Sequence, residues 1–107
     1  MSGSSRFGIV LMVAAVFAGT ASFAQSGGAA VYKAKCQSCH GAQGVPNPGI
    51  AKNMGVKPAS DPAVKSMTAA QMIAITTDGK GKMPSFKGKL TDAQIKDSVD
   101  YFRTFAK

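Results

Sequence analysis

The chain has 107 residues, with 13 basic and 5 acidic side chains and a formal net charge of +8 at pH 7. This length allows one small domain. A zinc site made of cysteine and histidine is excluded, because the chain offers only two cysteines and one histidine for four ligand positions.

The first 24 residues have the order of a secretory signal peptide. A short polar start carrying Arg6 precedes an apolar run over residues 7–18, and Ser22-Phe23-Ala24 fits the small-x-small pattern of a cleavage site before Gln25. The run has 12 residues, whereas a membrane-spanning helix needs about 20. We therefore predict cleavage after Ala24, a periplasmic mature chain and no membrane span, with an uncleaved membrane anchor as the alternative.

The predicted mature domain, residues 25–107, is small for a self-sufficient hydrophobic core. It has five aromatic residues and no tryptophan, so we expect a cofactor at the centre of its core. Without Arg6 it keeps twelve basic and five acidic residues, a net charge of +7. Such a charge suits nucleic acid, a membrane surface or an acidic protein, and export argues against nucleic acid.

The first half of this domain is predicted to contain one helix, a long loop and a short second helix. After a flexible lead-in at 25–28, alanine-rich sequence favours a helix from Ala29 to about Ser38. Glycines and prolines then predict a loop over 41–60. Asp61-Pro62 can open a short helix, because proline is tolerated in a first helical turn.

The second half is predicted to contain two capped helices. Thr68 to Gln71 and Thr91 to Gln94 both have capping-box spacing. The first helix is expected to end at Gly79, and a second loop follows over 79–89. The last helix is expected to run to the C-terminus. Its apolar stripe consists of Ile95, Val99, Phe102 and Ala106.

No segment alternates between polar and apolar residues for long enough to predict a strand. The predicted fold class is therefore all-α, with three to four short helices and two long loops. A long loop in a compact domain is uncommon unless it has a function, such as wrapping a ligand.

Cys36-Gln37-Ser38-Cys39-His40 has the spacing of a c-type haem attachment site. Residues 36, 39 and 40 fall on one side of a helical turn. The two thiols can therefore reach the vinyl groups on one edge of a porphyrin while His40 faces the iron. A thioredoxin-like dithiol would need a βαβ context that the pattern lacks, and a plain disulfide between Cys36 and Cys39 stays open.

The second iron ligand cannot be another histidine of this chain, because His40 is the only one. Methionine is the natural candidate, since His/Met ligation raises the reduction potential. Met67 and Met72 suit core packing, and Met54 lies in the first loop. Met83 is preferred because nearby glycines permit close approach to a flat ligand and a following proline stiffens the chain.

The mature domain resembles the small bacterial class I cytochromes c over nearly all of its length. Three stretches carry the resemblance: Gly28-x-x-x-Tyr32-x-x-x-Cys36-x-x-Cys39-His40-Gly41, then Lys82-Met83-Pro84-x-Phe86, then Leu90-Thr91-Asp92-x-Gln94-Ile95 leading to Tyr101-Phe102-Arg103. The resemblance implies a cytochrome c fold around one haem c, bound covalently by Cys36 and Cys39, with His40 and Met83 as the axial iron ligands.

Further expectations follow from this resemblance. The N- and C-terminal helices should cross at Gly28, Tyr32 and Tyr101. Ser98 departs from the family, which often has an aliphatic residue there. In the family a proline carbonyl accepts the second ring N–H of the axial histidine. Both Pro46 and Pro48 are candidates for this role, and we favour Pro48.

The implied function is that of a periplasmic one-electron carrier and not an enzyme. An enzyme or gas sensor with an open iron is one alternative, and an electron-entry subunit of a larger dehydrogenase or oxidase is another. Four lysines surround Met83 with no acidic residue among them: Lys80, Lys82, Lys87 and Lys89. We predict that this basic collar docks acidic redox partners, although a solvated face is the simpler interpretation.

Overall fold

The computed structural model describes residues 23–106, and the regular structure of this part of the chain is helical. The helices are α1 (Phe23–Lys35), α2 (Gln37–His40), α3 (Pro48–Met54), α4 (Pro62–Lys65), α5 (Ala69–Asp78) and α6 (Asp92–Arg103). Between residues 23 and 106 the only strand-like pairings are the isolated bridges Lys80–Met83 and Lys87–Leu90. The all-α prediction is confirmed, although the described helices outnumber the three to four that were expected.

The predicted leader, residues 1–24, lies outside the described residues except for its last two. Among the helices that are described, none is both long enough and apolar enough to cross a bilayer.

Helix α1 differs from the sequence-based prediction at both ends. Residues 25–28 were expected to be a flexible lead-in, but they belong to the helix, which begins at Phe23. Glycine disfavours helices by about 1 kcal/mol, and tertiary packing overrides that preference here, because Gly28 lies against the main chain of Asp97 in α6. The helix also ends at Lys35 instead of Ser38, and α2 follows as a separate turn.

Helix α3 lies inside the segment that was predicted to be a loop over 41–60. Asn47 caps it, with its side-chain oxygen accepting a hydrogen bond from the Ile50 amide at 2.8 Å. Pro48 occupies the first turn, and Gly55 ends the helix in the left-handed conformation (φ 69°). The residues that suggested a loop are the ones that begin and end a short helix.

The three remaining helices confirm the predicted start signals. Asp61 caps α4. Complete capping boxes at Thr68 and Thr91 begin α5 and α6, and α5 ends at Gly79 as expected. Helix α6 ends earlier than predicted, at Arg103, so Phe105 and Ala106 form a short tail beyond it.

The core is formed where α6 packs against α1 on one side and α5 on the other. Its buried side chains are Tyr32, Ala59, Met72, Thr76, Ile95, Ser98 and Val99. The hydroxyl of Ser98 donates to the Ile95 carbonyl at 2.8 Å, so burying this polar residue leaves no unpaired group. The crossing of α1 and α6 places the C-terminal aromatic residues beside the turn that carries His40.

Candidate functional site

A cavity of about 770 Å³ lies between the helices and both long loops. Its lining is mainly apolar, as is usual for small-molecule and cofactor sites. Cys36, Cys39 and His40 line it together with Met83. The fold therefore brings the four residues singled out in the sequence to one cavity.

The Cys36–His40 segment reaches this cavity because α1 and α2 meet at Cys36. The Cys36 amide still donates to the Tyr32 carbonyl at 2.8 Å, in continuation of α1. The amides of Cys39 and His40 both turn back to the Cys36 carbonyl, at 3.2 and 2.9 Å. This helical turn keeps the two sulfur atoms and the imidazole on the side that faces the cavity.

Contacts from α1 and α6 hold the His40 segment in place. The His40 ring packs edge-on against Phe102, with centroids 5.3 Å apart. The Tyr32 hydroxyl donates a 2.6 Å hydrogen bond to the Gly41 carbonyl, immediately after His40. Burial lowers the pKa of His40, so its imidazole is neutral at neutral pH and can offer a lone pair to a metal.

The cysteines do not have the properties of a redox-active dithiol. Burial, followed by the charge of Cys39, raises the pKa of Cys36 to about 11. Reactive cysteines usually have a lowered pKa, because the thiolate is the attacking species. No disulfide joins the two residues. Both thiols are therefore available for attachment to a cofactor.

Neither proline carbonyl accepts a hydrogen bond from the second ring nitrogen of His40. That atom, Nδ1, is buried without a partner among the described residues. Pro46 is buried, whereas Pro48 is exposed in the first turn of α3. The structure therefore does not support Pro48 as the hydrogen-bond acceptor for His40. Its burial makes Pro46 the better candidate for this role.

Main-chain bonds to the end of α5 hold the Met83 loop in place. The amides of Phe86 and Lys87 donate to the carbonyls of Thr76 and Thr77, both at 3.1 Å. The Ser85 hydroxyl also donates to the Thr77 carbonyl, at 2.6 Å. A helix leaves its last carbonyls without partners, so this loop completes the bonding of α5 while it presents Met83 to the cavity.

All four methionines of the mature domain line the cavity, which the sequence did not indicate. Met72 is also a core residue, with 7% of its surface exposed. Met54, at the end of α3, is 37% exposed. Met83 is half-buried and belongs to the loop that α5 holds. Burial and anchoring therefore favour Met83 over Met54 as a fixed ligand.

The four lysines of the predicted collar are all exposed, but they differ in position. Lys80 and Lys82 line the cavity, whereas Lys87 and Lys89 do not. Lys35 and Lys57 also line it, although the sequence placed them far from Met83. The basic rim of the cavity is therefore contributed by several segments and not by the Met83 loop alone.

Three comparisons relate the chain to known proteins. A family model described as "Cytochrome C oxidase, cbb3-type, subunit III" matches residues 23–102. The solved structure titled "KustC0563 c-type cytochrome" superposes with a TM-score of 0.67 and 28% sequence identity, covering 75% of this chain and 98% of that one.

Similar sequences include three cyanobacterial proteins named cytochrome c6. The protein of Leptolyngbya boryana is 37% identical over 77 residues, covering 69% of this chain and 84% of the relative. Those of Nostoc sp. and Synechocystis sp. are 35% and 32% identical over 75 residues each. The chain spans 64% and 59% of the lengths of these two.

Proposed function

The chain belongs to the c-type cytochromes, and from that membership we propose that it is a periplasmic one-electron carrier with histidine and methionine as iron ligands. Proteins of this family contain covalently bound haem c and transport electrons, and this chain has one such haem. The haem supplies the one-electron chemistry. The residues of the chain hold it, exclude water from it and position its partners.

Cys36 and Cys39 would hold the haem through thioether bonds, and His40 and Met83 would supply the two protein ligands of its iron. The observation that carries this assignment is the shared cavity lined by all four residues. The donor set fits the group, because neutral imidazole and thioether are ordinary haem ligands. An iron with these two protein ligands would have no site open for substrate, which supports electron transfer over an open-iron enzyme or gas sensor.

The matched family model favours a second candidate, since its description names an oxidase subunit. In this role the chain would be an electron-entry subunit held by a larger complex. The chemistry at the haem would be the same, and only the lifetime of the contact with the partner would differ. A native complex that elutes far above the 11.0 kDa mass of the chain would support this candidate.

Periplasmic location rests on the sequence of residues 1–24, whose order is that of a signal peptide. A mature chain that starts at Gln25 keeps most of α1, which begins at Phe23. Mass spectrometry of the purified holoprotein gives both the cleavage point and the covalent haem. An intact N-terminus would instead favour the membrane anchor.

Docking of acidic partners at the cavity rim is supported by the charge of the four exposed collar lysines. Positive charge beside the site of electron exit increases the rate of encounter more than the final affinity. We expect electron transfer to an acidic acceptor protein to slow steeply as ionic strength rises from about 10 to 150 mM, because the Debye length falls from about 30 to 8 Å.

Two triple variants with the same loss of charge test where docking occurs. One changes Lys80, Lys87 and Lys89 to glutamine. The other changes Lys33, Lys52 and Lys65, which are exposed and belong to α1, α3 and α4 instead of the Met83 loop. The first should flatten the salt dependence of the rate much more than the second. Equal effects would mean that net charge alone matters and would contradict the collar.

A further inference from the structure

A lysine side chain joins the Met83 loop to helix α3. The Lys82 ammonium donates a 2.6 Å hydrogen bond to the main-chain carbonyl of Asn53, which lies 29 residues earlier in the chain. Among residues 23–106 it is the only hydrogen bond between segments 41–60 and 79–90. We call this contact the Lys82 clasp.

The acceptor of the Lys82 clasp lies at the C-terminal end of α3. The last carbonyls of a helix lack partners within the helix and carry partial negative charge. Asn53 is the penultimate residue of α3, so its carbonyl is one of these groups. A positively charged donor is the favourable partner there, and hydrogen bonds with one charged member are stronger than neutral ones.

The position of the clasp relates it to both candidate methionines. Lys82 directly precedes Met83, and Asn53 directly precedes Met54. Both methionines and Lys82 line the cavity. The remaining hydrogen bonds of the Met83 loop lead to α5 or stay within the loop, as in the mutual bonds between Lys80 and Met83 at 3.0 and 3.1 Å. Without the clasp, no hydrogen bond would hold the Met83 loop to α3.

We propose that Lys82 is a positioning residue that keeps the Met83 loop closed against α3 and thereby limits access of external ligands to the iron. The proposal rests on the proposed ligation by Met83. A loop that can move away from α3 would let Met83 leave the iron more easily. The clasp opposes that movement in the middle part of the loop, between the bonds with α5 at Gly79 and at residues 85–87.

The test measures imidazole binding to the ferric holoprotein by stopped flow. At saturating imidazole the observed rate is limited by departure of Met83 and opening of its loop. Lys82→Gln should raise this limiting rate about fivefold, which corresponds to about 1 kcal/mol. Lys82→Arg keeps the charge and the donors, so it should stay within about twofold of the wild type, as ordinary surface substitutions do.

The matched control is Lys52→Gln, which removes the same charge from α3 beside the acceptor of the clasp, at a residue that does not line the cavity. The Lys52 ammonium has no hydrogen-bond partner within residues 23–106, so this change should leave the limiting rate within about twofold. A wild-type rate in Lys82→Gln overturns the proposal. So do equal accelerations in Lys52→Gln and Lys82→Gln, because charge alone would then explain the effect.

Failure of the clasp and failure of the proposed ligation give different results. If Met83 is the ligand, the ferric wild type shows the weak far-red absorption band of methionine-ligated haem, and Met83→Ala loses it. A wild type that lacks this band contradicts the ligation itself, and the clasp proposal with it. A band that is present, combined with an unchanged rate in Lys82→Gln, contradicts only the clasp.

Discussion

The two sides of the cavity are built in different ways. On the His40 side, the segment Cys36–Gly41 lies against the crossing of α1 and α6 and contacts Tyr32 and Phe102, which both belong to that crossing. On the Met83 side, a loop without regular structure is held by main-chain bonds to α5 and by the Lys82 clasp to α3.

Because of this difference, we expect the His40 side to determine the stability of the fold and the Met83 side to determine the access of ligands to the iron. The His40 segment cannot move without disturbing the packing of two helices, so changes there should appear in the free energy of unfolding. The Met83 loop contains none of the packed helices, and its hydrogen bonds lead to the end of α5 and, through Lys82, to α3. Changes there should appear mainly in ligand binding and reduction potential.

The largest effect is expected from Met83→Ala, which removes the proposed iron ligand. The iron should then bind added cyanide, carbon monoxide or imidazole. The reduction potential should fall by on the order of 0.1 V, a modest part of the roughly 0.8 V range that axial ligands set. Spectral titration and redox potentiometry measure the two effects.

The control for this prediction is Met54→Ala. Met54 lines the same cavity but is more exposed, at the end of α3. It should leave the potential and the sixth position unchanged. The reverse outcome, an open iron in Met54→Ala and a closed one in Met83→Ala, would move the ligand to Met54.

The sequence predicted the helices that begin with a complete capping box. It missed α3, because the residues that begin and end α3 are also typical of loops. Thr68 with Gln71 and Thr91 with Gln94 begin helices because each pair satisfies amides at both ends of the first turn. Asn47, Pro48 and Gly55 begin and end α3, but the same residue types are also typical of loops. A helix of seven residues has too little apolar periodicity to distinguish the two.

Local sequence also could not predict the contacts that span the fold. The haem attachment motif is local, and the preference for Met83 came from its neighbours in the chain. The bond between Lys82 and Asn53 joins residues that are 29 positions apart, and it depends on how the Met83 loop and α3 come together. The same applies to Lys35 and Lys57 at the cavity rim. Tertiary packing at Gly28, which extends α1, was likewise invisible to helix propensity.

A smaller but global effect is expected from Gly28→Ala on the His40 side. A methyl group at this position would collide with the main-chain carbonyl of Asp97 in α6. Because a backbone atom cannot give way as a flexible side chain can, α1 and α6 must separate slightly. Overpacking of this kind costs about 1–3 kcal/mol, which denaturant unfolding of the holoprotein would measure.

The matched control is Gly27→Ala, in the same helix and one residue away. Apart from the neighbouring main chain of its own helix, no atom of the described residues lies within 4 Å of a methyl group at Gly27. Better helix propensity should therefore leave the stability unchanged or raise it by up to about 1 kcal/mol. If both variants lost the same stability, a general property of α1 would be responsible, and the crossing at Gly28 would not be the cause.

The smallest effect is expected from Tyr32→Phe, which removes a single hydroxyl from the His40 side. The Tyr32 ring, 2% exposed, should keep its packing against Phe102. The lost bond to the Gly41 carbonyl has a net value of about 1 kcal/mol. That carbonyl also accepts from the Gly44 amide at 3.3 Å, so it keeps one partner. Unfolding should therefore become easier by about 1 kcal/mol or slightly less.

The pH dependence of this difference distinguishes the hydroxyl from simple loss of packing. Burial is the main reason why the pKa of Tyr32 is raised to about 12. In the unfolded chain tyrosine has a pKa of about 10. A pKa that is higher in the folded state stabilises the protein below pH 10, and this contribution is lost as the pH rises from about 10 towards 12. The wild type should therefore lose its advantage over Tyr32→Phe across that interval.

Tyr101→Phe is the control, because the Tyr101 hydroxyl has no hydrogen-bond partner within residues 23–106. A difference between wild type and Tyr32→Phe that stays constant up to pH 12 would show that the buried hydroxyl does not stabilise the turn after His40.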